Sequence, residues 1–196
     1  MIKSGHGQYH LRIVSTMVKR VDDQGRIEPP VGAGEWETLS SFLDYFRDTL
    51  EWKTDGLTDD QLRQNLEPSS MTLGGMLKHM ALVEKEWFGQ FLSGEPYGEP
   101  WESADWGADP DWDWNSATED SGGDLRRLWK ESVVQSQRLA LAAYENGGLD
   151  GEATKQPMEG EVLRLRWIMV HMIEEYARHC GHADLIRESI DGQTGD

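Results

Sequence analysis

The sequence has a single cysteine, few basic residues and no long apolar run among its 196 residues. One cysteine excludes an intrachain disulfide, so we expect a reducing compartment, the cytoplasm. Lysine and arginine together number 19 against 36 acidic residues, and the net charge of −17 argues against nucleic-acid binding, which needs clustered basic side chains. No stretch of about 18 apolar residues predicts a membrane span, and the N-terminus lacks the apolar core of a signal peptide. We therefore expect neither nucleic-acid nor membrane partners.

Helical periodicity fills most of the chain after residue 34. The length fits one domain with a sizeable core, and the nine tryptophans add much buried area. Apolar residues recur at helical spacing over 35–52, 72–92, 124–144 and 161–190, and a capping-box sequence from Thr58 to Gln61 predicts a short helical turn over 58–65. Four long helices without a convincing sheet predict an all-α four-helix bundle over residues 35–192.

Two segments fall outside these helices. Residues 1–34 hold a β-like run over 10–21, a turn signal over 22–25 and two prolines at 29–30, which predict a short N-terminal arm or extension on the domain. Residues 94–123 form an acidic, tryptophan-rich loop, a long crossover between the second and third long helices. Because disordered segments rarely hold several tryptophans, we expect this loop to pack over one end of the bundle as a lid or wall.

The last helix places polar side chains on a stripe that otherwise faces the core. At about 100° per residue, one side of this helix carries His171, Glu175, Arg178, His179 and His182. Buried polar groups are costly unless they are paired or metal-bound. His171 with Glu175, or Glu175 with His179, could chelate one ion across a helical turn. His171 and His179 lie about 12 Å apart along the axis, so a third ligand should come from another helix.

His79 is the natural candidate for that third ligand, because it lies at the border of the apolar face of the second long helix. Two simpler interpretations stay open at this point. A single histidine on an apolar face is more often part of the core than a ligand, and Glu175 with His179 would also stabilise a helix without metal. The spacing does not match the HExxH signature of zinc proteases.

Four stretches of the chain resemble the DinB-like superfamily of metal-binding four-helix bundles, and within it the branch linked to mycothiol-dependent S-transferases. They are PPVGAGEWETLSSFLDYFRDTLEWKTDGLTDDQL, SSMTLGGMLKHMALVEKEWF, DPDWDW and VHMIEEYARHCGHADLIRESIDG, within residues 29–192. The resemblance implies that one histidine of the second helix and two residues four apart on the last helix bind a divalent metal. His79, Glu175 and His179 match these positions, although the wider superfamily often has histidine where this chain has Glu175.

The resemblance also implies roles for the side chains around the metal. His171, Arg178 and His182 would line the pocket or support the ligands, and His171 or His182 is an alternative to Glu175 as a ligand. Because the ligands combine imidazole with carboxylate, zinc is the first expectation, and nickel and manganese stay open.

The function implied by the resemblance is a metal-dependent thiol S-transferase acting in detoxification or thiol homeostasis. A mycothiol-type low-molecular-weight thiol would be activated as a metal-bound thiolate and transferred to an electrophilic small molecule. Cys180 is not the expected nucleophile, because a lone buried cysteine is usually inert packing. The alternatives are a metal-dependent hydrolase or isomerase on the same bundle and a non-enzymatic, stress-related metal-binding module. The substrate stays open, as does the formation of a homodimer.

Overall fold

Six helices make up most of residues 20–157 and 159–195, the part of the chain that the computed structural model describes. No β-strand occurs in these two ranges, which contain only isolated bridges between single residue pairs. None of the helices found there is both long enough and apolar enough to cross a membrane. The helices are, in order, α1 (Glu35–Thr54), α2 (Asp59–Leu62), α3 (Leu73–Glu84), α4 (Trp112–Asn115), α5 (Gly122–Gly147) and α6 (Leu165–Asp191).

Four long helices pack into a bundle, which confirms the predicted fold class. α1 lies along α6, α3 lies along α5, and α3 also contacts α6. Burial of each large apolar side chain stabilises the fold by about 1.5–3 kcal/mol, and such side chains hold α3 and α6 side by side. The fully buried members of this core on the two helices include Leu73, Met76, Leu77, Met80, Leu165, Ile168, Met172 and Tyr176.

Local hydrogen bonds set the ends of several helices. Thr58 and Gln61 form the predicted capping box at the start of α2. The hydroxyl of Thr72 accepts a hydrogen bond from the backbone N–H of Gly75 at 2.9 Å and so caps α3. α6 ends at Asp191, and the next residue, Gly192, has a φ of 80°, in the left-handed region that glycine adopts without strain. These signals are local in sequence, which is why the positions of the helices were predictable.

A buried polar network joins the four long helices. Arg47 of α1 donates two hydrogen bonds of 2.8 Å to the Glu84 carboxylate of α3. The Tyr176 hydroxyl of α6 donates to the same carboxylate at 2.7 Å, and the Trp129 indole of α5 donates to the Tyr176 oxygen at 2.9 Å. The bidentate ion pair compensates the burial of both charges, so the network fixes how α3 and α6 lie against each other.

Three predicted boundaries need correction. α6 begins at Leu165 and not at residue 161, because the preceding residues pair with the loop at 151–154: the backbone N–H of Ala153 donates to the Leu163 carbonyl at 2.9 Å. α5 is longer at both ends than predicted. The second long helix continues past α3 only as a π-helical segment, Lys85–Ser93.

The crossover between the second and third long helices is folded. It contains α4, which packs against α3, and a 3₁₀ turn, Ser116–Glu119. Trp101 in this crossover is buried, at 2% exposure. The expectation that these tryptophans pack on the bundle is therefore confirmed, although the segment is partly helical and not a plain loop.

Residues 20–34 lie against α1. Val21 and Ile27 form an antiparallel bridge around the predicted turn over 22–25. The buried Arg26 donates a hydrogen bond of 2.7 Å to the Thr49 hydroxyl and lies 4.8 Å from the centre of the Trp52 ring. The predicted β-like run over 10–21 falls almost wholly outside the described residues.

Candidate metal centre

Three side chains from two helices meet between α3 and α6. His79 of α3, Glu175 of α6 and His179 of α6 each offer one ligand atom, and these atoms lie within 4.8 Å of one another. Glu175 Oε2 lies 3.5 Å from His179 Nε2. Ligand atoms of a single tetrahedral zinc ion are roughly 3–4 Å apart, given bonds of about 2 Å. The cluster therefore has the size of a site for one ion.

A carboxylate from the crossover holds the His79 ring in place. Asp113 of α4 is buried, and its Oδ2 lies 2.7 Å from His79 Nδ1. This contact places a proton on Nδ1 and leaves Nε2 as the ring nitrogen with a lone pair for a metal. Carboxylate–histidine pairs of this kind orient metal-binding histidines and raise their basicity.

An indole covers the two histidines. Trp114 stacks on His79, with ring centres 4.6 Å apart and an angle of 25° between the planes. The same indole lies 5.6 Å from the His179 ring. Gly75 permits this approach, because a Cβ atom at that position would lie 2.8 Å from Cε3 of Trp114. The indole therefore shields one side of the cluster from water.

His179 is neutral and buried. It is 7% exposed, and its pKa is lowered to about 4, first by burial and then by the neighbouring His79 and His182. Its Nδ1 has no hydrogen-bond partner in the described part of the chain. A buried polar atom without a partner costs about 1–3 kcal/mol, and the other ring nitrogen, Nε2, is the one that faces Glu175. Two imidazoles and a carboxyl group are a set of donors that fits a divalent cation.

His171 lies on the other side of Glu175. Its Nε2 is 3.7 Å from Glu175 Oε1, and its Nδ1 is 3.7 Å from Glu174 Oε2, which makes a second group of possible ligands. Glu174 in that group is exposed and forms an ion pair with Arg178. The ring of His171 stacks on Trp167, with centres 4.8 Å apart. The structure therefore brings His171 to the carboxylate of Glu175 but not to His79.

The remaining predicted residues lie outside the cluster of three. The His182 ring centre is 5.7 Å from that of His179, and its buried Nδ1 finds no partner among the described residues. The Arg178 side chain is 64% exposed and points to its partner Glu174, so the structure does not bring it to the ligand atoms. Burial raises the pKa of the Cys180 thiol to about 12, which favours the protonated, unreactive form.

Sequence reasoning missed Asp113 and Trp114 as parts of this site. Both lie in the stretch DPDWDW, which entered the sequence analysis only through the family resemblance. Nothing in its local pattern shows that the crossover returns to α3. The available signal was the unusual placement of an aspartate between two tryptophans in an otherwise solvent-facing acidic segment.

The bundle with its long crossover is that of the DinB-like superfamily. Within this superfamily, the model of the mycothiol S-transferase family matches residues 38–192, and the chain belongs to that family. Comparison with curated proteins gives no match. The family match confirms the resemblance drawn from the sequence and the fold class that it implied.

Proposed function

We propose that the protein is a metal-dependent thiol S-transferase, which joins a mycothiol-type thiol to an electrophilic small molecule. Membership in the mycothiol S-transferase family supports this class of reaction. The observation that carries the proposal is the meeting of His79, Glu175 and His179 within 4.8 Å. Two histidines and a glutamate are a ligand set of catalytic zinc sites, which keep a coordination position open.

In this proposal the three side chains hold one divalent ion, with zinc expected first and nickel or manganese compatible with the same ligands. When bound, such an ion supplies Lewis acidity, which lowers the pKa of a coordinated thiol. The nucleophile belongs to the cosubstrate, since the Cys180 thiol, with its pKa raised to about 12, stays protonated.

The surrounding residues prepare these ligands. Asp113 fixes the tautomer and the orientation of His79 through the contact of 2.7 Å. The lowered pKa of His179 keeps its ring neutral at physiological pH, so no proton competes with the metal. Trp114 lies against both rings and keeps water away from that side. His171 and His182 border the cluster and would line the pocket.

The proposal also covers the domain, the compartment and the partners of the reaction. We place the activity in the bundle over residues 35–192, with residues 1–34 as an extension, and in the cytoplasm, where thiols stay reduced. The partners are then the low-molecular-weight thiol and the electrophile. Formation of a homodimer is not needed for this site, because one chain supplies all three proposed ligands.

Metal analysis tests the ligand assignment. We expect purified wild type to hold about one divalent ion per chain, and His79→Ala and His179→Ala to lose most of it, because two ligands bind far more weakly than three. His182→Ala is the matched control, since it removes a histidine next to His179 that is not one of the three ligands; it should keep its metal. Full metal retention in both ligand variants would disprove the assignment.

A conjugation assay tests the reaction. Mycothiol and 1-chloro-2,4-dinitrobenzene should give a thioether: a carbon–sulfur bond forms, the carbon–chlorine bond breaks, and chloride and a proton leave. The metal-loaded wild type should accelerate this reaction, and His179→Ala should not. Metal-loaded protein that conjugates none of a panel of electrophiles would contradict the proposal. Turnover without thiol would favour the hydrolase, and metal-loaded wild type that turns over no substrate would favour the non-enzymatic metal-binding module.

A further inference from the structure

A cavity of about 350 Å³ lies beside the continuation of α3, and the candidate metal centre uses none of its lining residues. Leu82 and Glu86 line it from the helix, and Tyr97, Trp101 and Trp106 line it from the crossover. We call it the tryptophan cavity. Its volume falls within the range of small-molecule sites, about 300–1,000 Å³. Because the other four lining side chains are aliphatic or aromatic, the single carboxylate decides what charge the cavity accepts.

Glu86 is partly buried, and its charge has no strong partner. The Tyr97 hydroxyl donates a hydrogen bond of 3.2 Å to Glu86 Oε1, and within residues 20–157 and 159–195 no lysine or arginine forms an ion pair with this carboxylate. Burial raises the pKa of Glu86, and the neighbouring His171 and His79 offset this only in part. A carboxylate taken out of water is costly unless an opposite charge accompanies it. A cationic ligand in the cavity would remove much of that cost.

The carboxylate two residues earlier shows the contrast. Glu84 is fully buried, but Arg47 donates two hydrogen bonds of 2.8 Å to it and Tyr176 donates a third, of 2.7 Å. The protein thus supplies a guanidinium where a carboxylate belongs only to the core. It supplies none to Glu86, which borders an open cavity. This difference is expected if the cation for Glu86 comes from a ligand.

The aromatic walls indicate the kind of cation. Tyr97 and Trp106 are partly exposed, and the Trp106 indole donates to the Trp101 backbone carbonyl at 3.1 Å, which fixes its ring. A divalent metal ion prefers several oxygen or nitrogen ligands, and the lining offers one carboxylate. A substituted ammonium group instead gains about 0.5–2 kcal/mol from an aromatic face and about 4 kcal/mol from a carboxylate at 4 Å and an effective dielectric constant of 20. A neutral ligand of the same shape gains only the packing.

We infer that the tryptophan cavity binds an organic cation, a substituted ammonium group whose charge pairs with Glu86 and whose apolar substituents pack on Tyr97 and Trp106. The net charge of −17 favours this class of ligand, because it attracts cations and repels anions at long range. The inference does not depend on the proposed S-transferase function, since it uses none of the three candidate metal ligands.

A pair of probes with the same shape and different charge tests this inference. Choline carries a trimethylammonium group, and 3,3-dimethylbutan-1-ol has a carbon atom in place of the nitrogen. Isothermal titration calorimetry at fixed ionic strength should give choline a Kd about tenfold lower than that of the alcohol, or about 1.4 kcal/mol. Glu86→Gln should raise the Kd of choline about tenfold and leave that of the alcohol unchanged, because only the charge pair is lost.

Two variants test the aromatic wall. Trp106→Leu should raise the Kd of choline about fivefold, because an aliphatic side chain has no π face for the cation. Trp106→Phe keeps a ring and should bind choline nearly as wild type does. Equal binding of choline by Trp106→Leu and wild type would exclude the tryptophan as part of the site and overturn the inference.

Glu102→Gln is the matched control for charge, because Glu102 lies in the same crossover and is exposed. It should keep the tenfold preference for choline. His179→Ala should keep it too, which separates this site from the metal centre. The inference is overturned if wild type binds both probes equally or binds neither, or if Glu86→Gln keeps the preference. Thermal unfolding checks the fold of each variant. If Glu86→Gln does not fold, Leu82→Trp, which fills the cavity, must abolish choline binding for the inference to stand.

Discussion

Replacing Asp113 by alanine should weaken zinc binding without unfolding the bundle. Asp113 is 5% exposed, and its side chain forms a hydrogen bond of 2.7 Å with His79 Nδ1. Loss of such an outer partner typically costs 10- to 100-fold in metal affinity, which corresponds to about 1.4–2.7 kcal/mol. The His79 ring would then be free to rotate and to carry its proton on either nitrogen, so part of the population would present no lone pair to the metal.

The measurement is a competition titration with a zinc chelator, carried out on wild type, Asp113→Ala and Asp113→Asn. The asparagine oxygen still accepts from Nδ1–H, so this variant keeps the orientation and loses only the charge; its affinity should fall between the other two. Asp111→Ala is the control, since Asp111 is exposed and lies immediately before α4. It should bind zinc as wild type does.

One result would refute this reasoning. If Asp113→Ala binds zinc with wild-type affinity while Asp111→Ala does too, then Asp113 does not support a ligand and His79 is not held for metal binding. The melting temperature of the metal-free Asp113→Ala protein distinguishes two causes of weaker binding. A fall would indicate a loss of fold, and an unchanged value would indicate a loss of ligand orientation alone. We expect little change, because removing a buried carboxylate also removes its desolvation cost.

Three further predictions concern the buried titratable groups. In the metal-free protein, the pKa of His179 is lowered from 6.5 to about 4. As the pH falls, the unfolded chain therefore takes up a proton on this histidine before the folded protein does. The free energy of unfolding should reach its full value above about pH 6.5 and be about 2 kcal/mol lower at pH 5. Urea titrations should show this loss in the wild type and not in His179→Gln. Arg47→Met leaves the Glu84 carboxylate buried without its partner and should lower the free energy of unfolding by about 3–5 kcal/mol. Adding Glu84→Met should recover much of this loss. An equal loss in the single and the double variant would contradict the argument. Because the pKa of Cys180 is raised to about 12, its alkylation by iodoacetamide at pH 8, followed by mass spectrometry, should proceed only as the chain opens; rapid alkylation of the folded protein would contradict this.

The bundle itself was predictable because its signals are local. Apolar periodicity, the capping box at Thr58 and the glycine at 192 each act within a few residues, and they placed four long helices within a few residues of their observed ends. The start of α6 was wrong because a tertiary contact decided it. The residues before Leu165 pair with a distant loop segment, and no helical pattern in 161–164 reveals that partner.

Charge in the core was harder to predict than apolar periodicity. Glu84 fell on the apolar face of the second long helix in the sequence, with no indication of its partners. In the structure it is fully buried and meets Arg47, Tyr176 and, through that hydroxyl, Trp129. The four residues come from four helices, so the network exists only after the bundle has assembled. A buried glutamate is stable only with such partners, and the search for them requires the tertiary structure.

The candidate site likewise contains residues that could be predicted from the sequence and residues that could not. His79, Glu175 and His179 could be proposed from helical spacing and resemblance, because each lies on a regular helix whose faces are fixed by a period of 3.6 residues. Asp113 and Trp114 could not, because they reach His79 through an irregular crossover. Their approach depends on Gly75, where any Cβ atom would collide with the indole of Trp114. A glycine in the first turn of α3 lowers helix propensity, and the contact with Trp114 gives the physical reason for its presence. The crossover is therefore part of the site, and changes at Gly75 should act on the His79 ring through Trp114 although Gly75 itself provides no ligand.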